Sequence, residues 1–268
     1  MTNIQIPLRE DTTLRLIKSL CFIACLSPAA ALSERHVASE MPTAMTQVNL
    51  CYLNEGKTME DVDTFNKTFF DWTRAEGIQP HSLILTPVAN AAEALDPTYD
   101  FVELLIAPYQ TIGGMWDKVA TSEEGQAQFT GWAEIATCAT RFTHLVHKYT
   151  DQAATAATDN RVVEFNRCRV HESAEGLMKD KHARMLASRP ESATNIYWGV
   201  MLPAAGGERS VFRHLIGYPD MVSYTAALQR RSSKESMTAQ QEYSRMYAKC
   251  DGPSVWAGRV QSRPATES

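Results

Sequence analysis

A chain of 268 residues with 44% hydrophobic and 21% charged side chains has the composition of a globular protein, long enough for one large domain or two ordinary ones. Its formal net charge of -5 leaves no basic footprint, which excludes nucleic acid as a partner. No polybasic helix marks a membrane surface either.

Arg15 and Lys18 precede an apolar run at 20–26, which ends in Ser27-Pro28-Ala29-Ala30-Ala31. A basic flank, a short apolar core and a small-residue ending read as a secretory signal over residues 1–31, cleaved after Ala31. The run is too short to span a bilayer, so no transmembrane segment is expected after signal removal, and the location is secreted or periplasmic. Residues 32–47 are polar without hydrophobic period and read as a flexible leader.

Residues 48–53 read as a strand and Asn54-Glu55-Gly56-Lys57 as the turn after it. Thr58 with Asp61 forms a capping-box-like helix start. Met59, Val62, Phe65, Phe69 and Trp72 follow at helical spacing on one face, and Gly77 supplies the stop. Strands at 81–86 and 99–107 are closed by Pro87 and Pro108. A helical region from near Ile112 carries Met115, Trp116 and Val119, pauses at Ser122 and resumes with Phe129, Trp132 and Ile135. The last strand, 141–149, puts Phe142, His144 and Val146 on one face and Thr143, Leu145 and His147 on the other. The order is βαββαβ over 48–149.

Residues 150–160 are small, polar and unpatterned, a linker. The order then returns over 161–262, leaving 263–268 as a tail. A strand at 161–169 is followed by a helix at 174–187 with Leu177, Met178, Met185 and Leu186 as apolar positions. Strands at 195–201 and 211–217 end at Pro203 and Pro219. A helical region with Met221, Tyr224, Leu228, Tyr243, Met246 and Tyr247 precedes a strand at 254–260.

Phe101 corresponds to Phe212, and Pro108 to Pro219, at one constant offset, so the chain reads as a tandem duplication. Signal removal leaves Cys51, Cys138, Cys168 and Cys250, which allow three pairings. The duplication selects Cys51–Cys138 and Cys168–Cys250, the first and last cysteines of each copy. Structural zinc would need closely spaced ligand pairs that these cysteines lack, so no metal site is expected.

The βαββαβ unit is ferredoxin-like and α+β. Two such units in one chain, with LNEGKTMEDV after the first strand, resemble the dimeric α+β-barrel superfamily. Its members include antibiotic-biosynthesis-type monooxygenases, NIPSNAP-like proteins, muconolactone isomerase and chlorite-dismutase-like haem proteins. LNEGKTMEDV is also similar to the opening of secreted bacterial proteins of this type. The resemblance implies that the two antiparallel sheets pack together as a barrel, an internal pseudo-dimer that exists as a monomer or a homodimer. It further implies a small, partly apolar ligand between sheet and helices, with metal-independent monooxygenase- or isomerase-like activity. No catalytic motif is matched, so no catalytic residue is carried across. Two other readings stand beside it: a non-enzymatic secreted interaction module with a filled barrel, and a haem-binding protein with a histidine at an apolar slot. No cofactor is expected outside the haem reading.

The sequence has no nucleophile elbow, P-loop, dinucleotide fingerprint or zincin motif. Gly113-Gly114 opens a helix and reads as a turn pair rather than an anion site. His144 and His147 face opposite sides of a strand and cannot form a local metal pair. His171, His182 and His214 are further candidates. Glu103, His144 and His214, polar on strands otherwise apolar, are the candidate catalytic residues, and His214 occupies the position of Glu103 in the other copy. Asn54, Glu55, Trp72, Trp116, Trp198 and Trp256 are candidate ligand contacts. Each has a structural reading as well: a solvated turn for the first two, core packing for the tryptophans.

Overall fold

The computed structural model describes residues 44–89 and 99–264. The proposed signal segment, the leader up to residue 43, and residues 265–268 of the tail lie outside the described residues. The first half runs β1 (Ala44–Leu53), α1 (Met59–Ala75), β2 (His81–Ala89), β3 (Phe101–Ala107), α2 (Tyr109–Thr121), α3 (Glu123–Ile135) and β4 (Ala136–Thr150). After a short helix, α4 (Gln152–Ala156), the second half runs β5 (Asn160–Val170), α5 (Met178–Ala187), β6 (Tyr197–Ala205), β7 (Val211–Tyr218), α6 (Met221–Arg231), α7 (Lys234–Met246) and β8 (Ala248–Ser262). Each half is a ferredoxin-like βαββαβ unit. The strands close into one antiparallel barrel in the order β1-β3-β2-β8-β5-β7-β6-β4.

Closure explains why several strands outrun their sequence expectations. β4 pairs with both β1 and β6, and β8 with both β2 and β5, so each spans two neighbours and no edge is left open. Their extra residues begin ahead of Cys138 and Cys250, which therefore lie inside strands. β2 continues past Pro87 and β6 past Pro203. Both prolines sit beside register shifts, where a missing N–H costs no regular ladder bond. The expected linker contains α4, started by Asp151, whose side chain accepts from the Ala154 N–H at 2.9 Å. The second-half helix is preceded by a 3-10 turn at Glu172–Leu177. α2 starts at Tyr109, so Gly113-Gly114 lies within the helix rather than at its opening.

α1 begins with the capping box expected at Thr58 and Asp61. The Asp61 carboxylate accepts from the Thr58 N–H at 2.8 Å, and the Thr58 hydroxyl accepts from the Asp61 N–H at 3.4 Å. Gly77 follows at φ 73°, the left-handed conformation that ends a helix most cheaply with glycine. The buried face is rotated from the expected one. Val62, Asn66, Phe70 and Thr73 are buried, whereas Phe65, Phe69 and Trp72 are only half-buried.

Alternation along each strand separates two apolar regions. Leu83, Leu85, Leu104, Leu145, Met201 and Trp256 fill the barrel interior. The outward faces are covered by the helices, and the covers differ between the halves. In each half a cysteine pair at disulfide distance joins directly opposed strand residues: Cys51–Cys138, S–S 2.11 Å, and Cys168–Cys250, S–S 2.00 Å. These are the pairings expected from the repeat.

Candidate functional site

On β1, Val48 and Leu50 pack with the barrel interior, so the alternate residues Gln47, Asn49 and Cys51 face the helices. Asn49 is in register with Glu103 of β3, which puts an amide beside a carboxylate under α1, α2 and α3. A cavity of about 440 Å³ opens above them. Gln47, Asn49 and Glu103 line its floor, and Phe65, Phe69, Trp116, Phe129 and Trp132 wall it. That size lies in the range of small-molecule sites, and the mixture of aromatic walls with a few convergent polar groups is typical of them.

The polar groups form one directed chain. The Trp116 indole N–H donates to Gln47 Oε1 at 2.8 Å. An indole can only donate, which fixes the Gln47 amide so that Nε2 donates onward to Asn49 Oδ1 at 3.2 Å. Thr140 Oγ1 donates to the same oxygen at 2.9 Å. Asn49 Nδ2 is thereby turned to donate to Glu103 Oε2 at 2.8 Å. Burial disfavours the charged carboxylate and pushes the Glu103 pKa up to about 7, while the Asn49 hydrogen bond opposes the rise. Such a group can hold or release a proton near neutral pH, beside an apolar wall. Asn66 adds an unused donor: the residue is 1% exposed, lines the cavity, and its Nδ2 has no hydrogen-bond partner among the described residues.

The second half builds a different arrangement at equivalent positions. His214 is in register with Asn166 of β5, as Glu103 is with Asn49. The Trp198 indole N–H donates to His214 Nδ1 at 3.1 Å. His214 Nε2 is 3.3 Å from the Tyr243 hydroxyl, which lies 3.2 Å from His182 Nε2. Burial drives both imidazoles toward the neutral form, His182 to about 3 with His214 and then Lys148 adding to the shift, and His214 to about 4 with Arg231 and then Lys148 adding to it. Burial also raises the Tyr243 pKa.

The three catalytic candidates are thus not brought together. Glu103 lies on the floor of the first cavity. His214 is held between Trp198 and Tyr243 and lines neither this cavity nor the one over the second half. His144 faces outward between the halves, its Nδ1 2.8 Å from the Tyr109 hydroxyl. Of the other histidines, His147 meets Tyr197, and His171 Nε2 meets the Ser244 carbonyl at 2.8 Å.

Among the ligand candidates, Trp116 reaches the first cavity and Trp198 the histidine cluster. Trp256 packs inside the barrel and Trp72 beside Phe69. Asn54 fastens its turn to the end of α3, donating to the Ala133 carbonyl at 2.8 Å, and Glu55 is exposed. Gln47, Asn49, Asn66 and Thr140 escaped the sequence reading. The available signal was the polar-apolar alternation of Gln47, Val48, Asn49 and Leu50 just before Cys51.

Among the described residues, no group of three or more His, Cys, Asp or Glu is placed to hold a metal ion. In the histidine cluster both ring nitrogens of His214 and the Nε2 of His182 are engaged by Trp198 and Tyr243, which leaves Nδ1 of His182 as the cluster's remaining imidazole nitrogen.

No protein-family model matches the sequence, and no curated protein matches it. Solved structures do share its fold. A proposed monooxygenase from Fusobacterium nucleatum superposes with a TM-score of 0.54 at 11% identity, covering 82% of this chain and 93% of that one. A proposed monooxygenase from Lactobacillus acidophilus gives 0.51 at 14% identity, covering 82% and 94%. At these identities the likeness establishes the architecture, and the chain has the dimeric α+β-barrel fold within a single polypeptide.

Proposed function

We propose that the first-half cavity binds a small, partly apolar molecule and that Glu103 exchanges a proton with it. The observation that carries this reading is the Glu103 carboxyl on the cavity floor, raised to about 7 by burial and held by Asn49. The Glu103 carboxylate takes a proton from an acidic C–H or O–H of the ligand, forming a neutral carboxyl and a ligand anion. Asn66 Nδ2 supplies a donor for an acceptor oxygen of the same molecule. In an isomerase-like reaction the proton returns at another carbon. In a monooxygenase-like reaction the ligand anion forms a C–O bond with dioxygen, the co-substrate, and the resulting hydroperoxide loses water to leave a carbonyl, so that the ligand's own methylene carbon supplies all four electrons that reduce the dioxygen. The two solved structures named for monooxygenases favour neither branch by sequence, since they share the fold alone.

A non-enzymatic module with a filled barrel remains the alternative. The packed interior suits it, but the cavity lies outside that interior, beneath the helices. The haem reading would rest on His182 Nδ1 at the wall of an apolar cavity, since the other imidazole nitrogens of the cluster are engaged. Absorbance after haemin addition checks it, and a Soret shift lost in His182→Ala would support it. The two disulfide-distance pairs support an oxidising compartment for the mature chain. Among the described residues no helix is long and apolar enough to cross a membrane.

The experiment is hydrogen–deuterium exchange at the α-carbon of a tetralone, a bicyclic aryl ketone, followed by mass spectrometry. The wild-type protein is expected to accelerate exchange. Glu103→Gln should abolish the acceleration while changing ketone affinity only a few-fold. Equal acceleration by the variant would contradict the assignment.

A further inference from the structure

A second cavity, of about 360 Å³, lies over the other half of the barrel, against β4, β6, β7 and α5. Its body is apolar, with Val146, Met178, Val200 and Phe212 in its wall. Met178 and His182 are the buried residues of α5, one turn apart, and among the described lining residues His182 is the polar side chain that is buried, at 4% exposure. The other polar side chains of the wall are already provided for. Lys148 and Lys179 each have an interaction of their own, Arg209 is exposed to water, and Ser210 Oγ accepts from Arg169 Nη1 at 3.0 Å.

The His182 imidazole is held in place by Trp198, Phe212 and Tyr243, with ring centroids 5.7, 5.9 and 6.4 Å away. The hydrogen bonds behind it decide which atom is left to bind. The Trp198 indole only donates, so His214 Nδ1 accepts, and in neutral His214 the proton is on Nε2. That N–H donates to the Tyr243 oxygen, which leaves the Tyr243 O–H to donate to His182 Nε2. Neutral His182 then carries its proton on Nδ1. This N–H has no hydrogen-bond partner among the described residues, and it belongs to a side chain of the cavity wall. An unpaired donor on a buried side chain is costly, and an acceptor atom on a ligand relieves the cost.

Lysine and arginine side chains only donate, so a ligand in this cavity does best with an oxygen that accepts and carries no proton of its own to place. We propose that the cavity binds a neutral chain-like carbonyl compound, a medium-chain ketone or ester, whose oxygen accepts from His182 Nδ1–H and whose chain lies against Val146, Val200 and Phe212. The inference uses no residue of the first cavity and does not depend on Glu103.

NMR titration of the full mature chain with 2-decanone, read at the histidine nitrogens and at the Met178 methyl group, tests it because both signals report this cavity alone. His182 should be protonated at Nδ1 and bare at Nε2, and both the Nδ1 and the Met178 resonances should move as the ketone is added. This measurement needs no variant. His182→Phe keeps an aromatic ring and removes the donor, so the Met178 signal should report affinity weakened about three- to tenfold. Trp116→Ala, in the first cavity, should leave both responses unaltered, and decanoate should bind no more tightly than the ketone. A His182 proton on Nε2, no response to the ketone, equal affinity in His182→Phe, loss of the response in Trp116→Ala, or tighter binding of decanoate would each overturn the proposal.

Discussion

Glu103 carries the most information of any single residue. Its partner in register is an amide rather than a cation, so nothing nearby compensates a buried negative charge except one hydrogen bond. The stability consequence has a definite sign. A carboxyl whose folded pKa is raised to about 7 still holds its proton where the unfolded chain, at 4.5, has released it. Stability therefore falls as pH rises through that interval and the penalty is complete above it, at most about 3 kcal/mol. Glu103→Gln keeps the Asn49 bond and removes the charge. It should raise the melting temperature at pH 8 by several degrees and flatten the pH dependence between 4.5 and 7, as thermal scans would reveal. A variant less stable than wild type at pH 8 would mean that the carboxylate is better compensated than its surroundings indicate. The polarity of Glu103 against its apolar strand was visible in the sequence. Asn49, Gln47 and Asn66 were not, because each needs a register or a helix rotation to be placed.

The helices show where periodicity misleads. Phe65, Phe69 and Trp72 have helical spacing and read as the core face of α1, yet the buried stripe is Val62, Asn66, Phe70 and Thr73. The aromatic side chains are half-exposed because Phe65 and Phe69 wall a cavity, and a cavity wall counts as apolar surface without full burial. α6 is fixed differently. Arg231 Nη1 donates to both oxygens of Glu164 at 3.0 and 2.8 Å, and the carboxylate is only 2% exposed. Glu164→Gln should cost on the order of 2–3 kcal/mol, discounted because Arg231 keeps some contact with water. Asp71→Asn, which breaks the exposed Arg74–Asp71 pair on α1, should cost less than about 1 kcal/mol. Denaturant unfolding of the two variants compares them directly, and equal losses would deny Glu164 a role in holding α6.

At the scale of the molecule, element order and cysteine placement were legible because they depend on local pattern and on landmarks such as Phe101 and Phe212. Barrel closure was legible only through resemblance, since the β2–β8 and β4–β6 contacts join strands of different halves. Closure also accounts for the strands that run past Pro87 and Pro203. Each cysteine pair ties the first strand of a half to its last, across sequence separations of 87 and 82 residues. In the chain-entropy view each is worth about 4.5 kcal/mol. Non-reducing peptide mapping should recover Cys51 with Cys138, and replacing that pair by alanine should lower stability by about that amount. Recovery of Cys51 with Cys168 would break the correspondence between the halves.

The central claim is that the first-half cavity is a ligand site with Glu103 as its proton-exchanging group. Carbon NMR titration of the Glu103 side-chain carboxyl, with and without the tetralone, tests this most directly. The account predicts a midpoint near 7 in the free protein and a displaced midpoint when the ketone is present. A midpoint at the ordinary carboxylate value of 4.5, unmoved by the ketone, would contradict it.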